Sequence, residues 1–257
     1  MSRVEQDAAT WLSYLDRVIT CAGGIAETAR IKPVEGDVPP PGLLAACLLA
    51  RSASTARAVV HLVGLGHVVE ARMLARSIFE NEFYLYRLAQ DGIAFAREMF
   101  ADEVYHRGAI GETLFKEEQA REAMGEESGA RMGAFIKELR QESPNAKPLK
   151  PKDAISGTDV GAAYVYYQQL SFDAGHPSFT ALNRHIVEAA GNAVEGLSFK
   201  PRIKDGEVMD TAFLTAIALL GVCIWANITF GGTTGGERLE GPVAEYHWIA
   251  ARTHVAS

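Results

Sequence analysis

Between His67 and Asp91 the chain spaces Arg72, Arg76, Glu80 and Arg87 so that, at about 100° per residue, all four fall within roughly a quarter turn of one helix face. Phe79, Phe83 and Val69 share that arc, while Leu74, Ile78 and Leu85 cover the opposite side. The helix is therefore apolar nearly all round, yet charged on one stripe. Unpaired charge in apolar surroundings is costly. Arg76 and Glu80, one turn apart, must pair within a buried network or line a wet pocket, and the residues alone leave both open. In a pocket, Arg76 offers a planar fork to an anionic group, and Glu80 orients that group or moves a proton.

A second group stands far along the chain, in LSFDAGHPSF, residues 170–179. His176 lies between Gly175 and Pro177, so it cannot sit inside a regular helix, and a tight turn aims its ring. Either Pro177 starts the next helix while Ser171 or Ser178 satisfies backbone groups, or the imidazole is a general base or ligand contact. The expected site has His176 and Glu80 as its catalytic groups, with Arg76, Arg72, Ser171 and Ser178 as substrate-binding residues. No G-x-S-x-G elbow surrounds Ser77, Ser171 or Ser178, so none is assigned as a nucleophile.

Glu103 and His106 form half of the dimetal carboxylate pattern of helical bundles. A matching second E-x-x-H is missing, and His185 with Glu188 has the reversed order. A lone pair at this spacing is usually a solvated face, so neither metal nor cofactor is expected.

The elements that must hold these groups are helices. Apolar periodicity predicts helices from about Val4 to Arg30, Leu43 to Gly64, His67 to Asp91, and from Ile93 into a charged tail near Arg140. Further helices are expected around TDVGAAYVYYQQLSF, from Phe179 to about Ala190, from Asp210 through an uncharged run ending at Phe230, and from about Val243 to Arg252. Residues 31–42 read as a Pro-rich connector. Residues 143–157 read as a Pro/Lys-rich loop able to lie over a site. Lys204-Asp205-Gly206 is a hairpin-type turn signal, which suggests a small β-hairpin near residues 197–208. The expectation is an all-α chain, residues 1–257 forming a single irregular helical bundle.

Composition narrows the function classes. Of 257 residues, 48% are hydrophobic and 22% charged, the balance of a folded protein. The formal net charge of −7 disfavours nucleic acid as a partner, because phosphate backbones are bound by clustered cations. Cys21, Cys47 and Cys223 are isolated and lack paired zinc or redox spacing, as expected of thiols in a reducing cytoplasm. The first residues lack a secretory signal pattern. The uncharged run from Ala212 to Phe230 is long enough to span a bilayer, but its polar residues and flanks favour a buried central helix, so no membrane partner is expected.

LARSIFENEFYLYRLAQD and YYQQLSFDAGHPSFTAL together resemble a bacterial all-helical family known only as a domain of unknown function. The likeness rests on an R-S-x-x-E helix and a later S-x-x-x-x-H-P-S turn, and it extends over about Leu43 to Phe230. It implies roles for Arg76, Glu80, Ser171, His176, Pro177 and Ser178, but no reaction. The nearest characterised analogy is the HEPN helical bundle, whose ribonuclease members carry an arginine and a histidine four to six residues apart on one helix. Here Arg57 and His61 have only three residues between them, and no histidine closely follows Arg76.

Three functions remain in view. The first is a cytoplasmic protein that binds, or hydrolyses, a small polar or anionic molecule in an Arg/Glu/His pocket. The second is a HEPN-like ribonuclease or defence protein, which requires Arg76 and His176 to meet. The third is a non-enzymatic interaction module in which the same residues form a structural polar network. A homodimer is compatible with each.

Overall fold

A computed structural model describes residues 2–33, 37–142, 144, 146–174, 178–188 and 194–253. Among these residues the chain is all-α apart from one two-stranded ribbon. Helix α1 (Arg3–Thr28) opens with a reciprocal cap, in which Ser2 Oγ accepts from the Glu5 amide at 3.3 Å while Glu5 Oε2 accepts from the Ser2 amide at 2.6 Å. Helix α2 (Pro41–Gly64) begins on a proline, which loses nothing in a first turn whose amides have no helical partner. Helices α3 (Val68–Asp91) and α4 (Ile93–Lys116) follow. The charged tail expected to extend α4 instead breaks at Glu117 and again at Gly125 (φ +73°), a kink inside α5 (Glu118–Glu142), whose second part packs back on α4.

Helix α9 (Glu207–Thr229) occupies the centre, packed against α1, α2 and α3. Ala212, Phe213, Thr215, Ala216, Leu219, Val222 and Cys223 are all buried, so its apolar residues face neighbours on every side. Helices α2 and α9 are both long and apolar enough to cross a membrane, and 67% of the most apolar stretch of α9 is buried within the fold. Trp11 of α1 sits edge-on to Phe213 at 5.0 Å, and its indole N–H donates to Thr253 Oγ1 at 3.1 Å. That bond ties α1 to the segment after α10 (Glu240–Ala250).

The elements that flank α3 come from residues 151–188. Within the expected 143–157 loop, Pro151–Ile155 forms a short helix, α6, which buries Ala154 and Ile155 and packs on α3. Just before it, the Leu149 amide donates to Asp102 Oδ1 on α4 at 2.7 Å. A 3-10 turn at Gly161–Ala163 leads into α7 (Tyr164–Ala174), which also packs on α3, and α8 (Phe179–Asn183) follows.

The ribbon lies earlier than the turn signal suggested. Strands β1 (Ile186–Glu188) and β2 (Val194–Leu197) pair antiparallel, Ile186 opposite Leu197 and Val187 opposite Gly196. The helix expected to reach Ala190 accordingly ends at Asn183. Lys204-Asp205-Gly206 starts α9 instead of a hairpin. Gly206 takes φ +85°, a left-handed conformation natural to glycine, and the Lys204 amide donates to Glu207 Oε2 at 2.8 Å. Glu207 and Asp210 then supply the acidic first turn that a helix N-terminus favours.

Candidate functional site

Helices α3 and α7 bring Arg76 and Ser171 together across 95 residues of sequence. Arg76 Nε donates to Ser171 Oγ at 3.0 Å, and Arg76 Nη2 donates to the Tyr167 hydroxyl. The guanidinium also lies 4.5 Å from the centroid of the Tyr167 ring, within cation–π range. Glu80, one turn along α3, stands 4.0 Å from Arg76 Nη1, an ion pair too long to be a hydrogen bond. Both side chains are about one-third exposed. A guanidinium has five N–H donors, of which the described residues engage two by hydrogen bonding. Arg76 is thus held in place while part of its fork faces outward.

Tyr167 is one turn before Ser171 on the same face of α7, and the sequence signal for it was that i, i+4 spacing. It stacks on Tyr164 with ring centroids 5.4 Å apart and packs on Phe83 at 5.9 Å. Burial, with Glu80 nearby, raises its pKa above the ordinary phenol value against the opposing effect of Arg76, so the hydroxyl stays protonated. It accepts from Arg76 and keeps its own proton to donate. Ser171 has no such freedom, because its hydroxyl donates to the Tyr167 carbonyl at 2.7 Å while accepting from Arg76. That geometry makes it a prop for Arg76.

Arg72 belongs to a different environment from Arg76. It is only 4% exposed, and its Nη1 reaches Thr211 Oγ1 on α9 at 3.5 Å. Beside it, Arg184 grips Glu207 with two hydrogen bonds, of 2.8 and 2.5 Å, and donates to the Arg202 carbonyl at 3.1 Å. Burial acts to raise the Glu207 pKa, but the hydrogen bonds from Arg184 and the Lys204 amide, with the charges of Arg184 and Arg72, hold it below the ordinary value. Burial raises Asp210 above the usual carboxylate range even with Arg72 opposing. The stripe read from α3 therefore divides into an open end at Arg76 and Glu80 and a closed end at Arg72.

The remaining expected residues are placed as follows. Ser178 Oγ accepts from the Ala181 amide at 3.1 Å and donates to the Phe172 carbonyl at 2.8 Å, capping α8. Gly175, His176 and Pro177 lie outside the described residues. Glu103 pairs with Arg107, and His106 Nε2 lies 3.3 Å from Asp102 Oδ1, so Glu103 and His106 are each paired elsewhere. Among the described residues no three His, Cys, Asp or Glu side chains are grouped to hold a metal. Clefts of about 400 Å³ run along α4 and α5, lined by neither Arg76 nor Glu80.

Glu82 was not among the expected groups. It is buried on a different face of α3, where Gly221 of α9 leaves room that a Cβ would take from the carboxylate. Its Oε2 has no hydrogen-bond partner among the described residues, and burial pushes its pKa up to about 8. The only sequence signal for it is an acid placed two residues after Glu80 in a mostly apolar helix.

Residues 43–193, more than half of the chain, match the model of a family of unknown function, DUF5677. The matched region carries Arg76, Glu80, Tyr167 and Ser171 and stops short of α9. No curated protein and no solved structure matches the chain.

Proposed function

The chain belongs to the DUF5677 family of unknown function, and we propose that its Arg76 cluster is the binding site for a small anionic ligand of the carboxylate or phosphate class. The observation that carries this is a guanidinium fixed from one side by Ser171 and Tyr167, with only a 4.0 Å ion pair to Glu80 on the other among the described residues. A fixed arginine with unused donors meets an oxyanion at little entropic cost. The Tyr167 hydroxyl adds a neutral donor beside it. Glu80, loosely paired, is the group that would exchange a proton with the ligand, and His176, five positions after Ser171 in the sequence, is the candidate second proton-transfer group.

Arg72, expected as a ligand contact, is better explained by the structural network it shares with Thr211 and the Arg184–Glu207 pair. Its burial favours that role.

The test is calorimetric titration of the protein with inorganic phosphate at constant ionic strength, chloride being the replaced anion. A charge-assisted hydrogen bond contributes about 1.5–3 kcal/mol, so Arg76→Gln should weaken phosphate binding by roughly ten- to a hundredfold. Tyr167→Phe should weaken it by a smaller factor, and Arg72→Gln should act on stability. Equal binding by the protein and its Arg76→Gln variant, or no binding by either, overturns the proposal.

A further inference from the structure

Helix α4 carries two lengthwise seams. Val104, Gly111 and Phe115 face α5, where the Gly111 Cα lies close against Ile136 and Phe115 lies against Gly133. A second series, Phe100, Glu103, Arg107, Ile110 and Leu114, runs at alternating spacings of three and four. At about 100° per residue these five share one arc of the helix, the stripe that pairs with another helix in a coiled coil. The described residues cover it only in part, and Glu103 and Arg107 pair with each other along the helix. Phe100 is 41% exposed, Ile110 62% and Leu114 39%. Phe135 and Glu138 of α5 line the same cleft as Phe100, Glu103 and Arg107, which extends the face across the hairpin.

We propose that this face joins a second copy of the chain, the two α4–α5 hairpins packing about a two-fold axis into a four-helix bundle. The order of residues along the stripe is self-complementary. Antiparallel pairing centred between Glu103 and Arg107 sets Phe100 against Ile110 of the partner subunit, and Arg107 against Glu103 of the partner subunit. Each contact is repeated by the two-fold, as a closed dimer requires. The area fits as well. A large apolar side chain presents about 200 Å² when fully exposed, so Phe100, Ile110, Leu114 and Phe135 together offer roughly 350 Å². That is the apolar part of an interface near the lower limit for specific association, about 600 Å² per partner and ~57% non-polar. The hairpin also gains from such support, since among the described residues that α4 and α5 bury against each other only Val104, Ile136 and Leu139 carry a large side chain, beside the glycines Gly111 and Gly129.

Sedimentation velocity on the full chain between about 1 and 100 μM should record a monomer–dimer equilibrium with a micromolar midpoint. Ile110→Glu should weaken it at least tenfold, leave the helicity of the dilute protein as in the parent, and abolish the rise in melting temperature with concentration that association gives the parent. Arg107→Glu should weaken it as well, and the double exchange Glu103→Arg with Arg107→Glu should restore it, because the swap preserves opposite charges across the two-fold. Hydrogen exchange of α4 amides in the unaltered protein should slow as concentration rises. A chain that sediments as a monomer throughout, an Ile110→Glu variant as dimeric as its parent, or a swap that fails to restore association overturns the proposal.

Discussion

Glu82 permits a prediction in which the direction and the size both come from its surroundings. Its carboxyl is buried between α3 and α9, and desolvation alone lifts its pKa from 4.5 to about 8, no charged neighbour contributing. The folded protein therefore keeps a proton that the unfolded chain releases above pH 4.5. Wherever the folded state binds the extra proton, stability falls as pH rises, by about 1.4 kcal/mol per pH unit. The contribution is fully present below pH 4.5 and is lost as pH rises through the folded value near 8. Between pH 5 and 8 the loss is about 3.5 kcal/mol, a large share of the 5–15 kcal/mol that separates folded from unfolded domains. Glu82→Gln removes the titration while keeping the shape. Its own amide adds an offset that does not vary with pH. Urea unfolding of both proteins at half-unit steps from pH 5 to 8 should give a difference, parent minus variant, that falls steadily by about that amount. Other titrating groups cancel in the difference. Parallel curves, with a constant gap across the range, would refute the buried neutral carboxyl.

Two further predictions concern the same contacts with α9. Arg184→Ala should destabilise the protein by about 3–5 kcal/mol in urea, because it leaves the Glu207 carboxylate buried without its guanidinium. The paired change Arg184→Met with Glu207→Leu should recover most of that loss, and a single-variant cost below about 1 kcal/mol would argue against a buried pair. Gly221→Ala should cost about 1–3 kcal/mol by forcing the Glu82 side chain aside. The cost should shrink in a Glu82→Ala background, since the two positions share one volume, and an additive double variant would exclude the contact.

Much of the helical framework was legible in the one-dimensional pattern. Helices α1 to α3 and α9 lie within a few residues of their expected ends, because long apolar periodicities and Gly or Pro stops are local properties. Short elements were not. The Lys204-Asp205-Gly206 signal fits both a hairpin and a helix start, and only the Arg184–Glu207 pairing at the base of the ribbon selects the second. The charged stripe on α3 and the serine of α7 were both visible as unusual residues, and the structure joins them at Arg76 and Ser171. Tyr167 and Glu82 leave only faint marks in the sequence, because their roles arise from what lies opposite, a guanidinium in one case and a bare glycine in the other.

Amino-acid order alone therefore determined the helical class, the apolar central helix and the presence of charge on an apolar stripe, all of which follow from spacing along the chain. Which of those charges is open and which is closed was decided by tertiary packing. Arg72 and Arg76 are one turn apart and chemically identical, yet α9 covers the first while α7 only braces the second. Solvation of a charge depends on the elements packed over it, and their approach is set by residues 91 to 139 positions away.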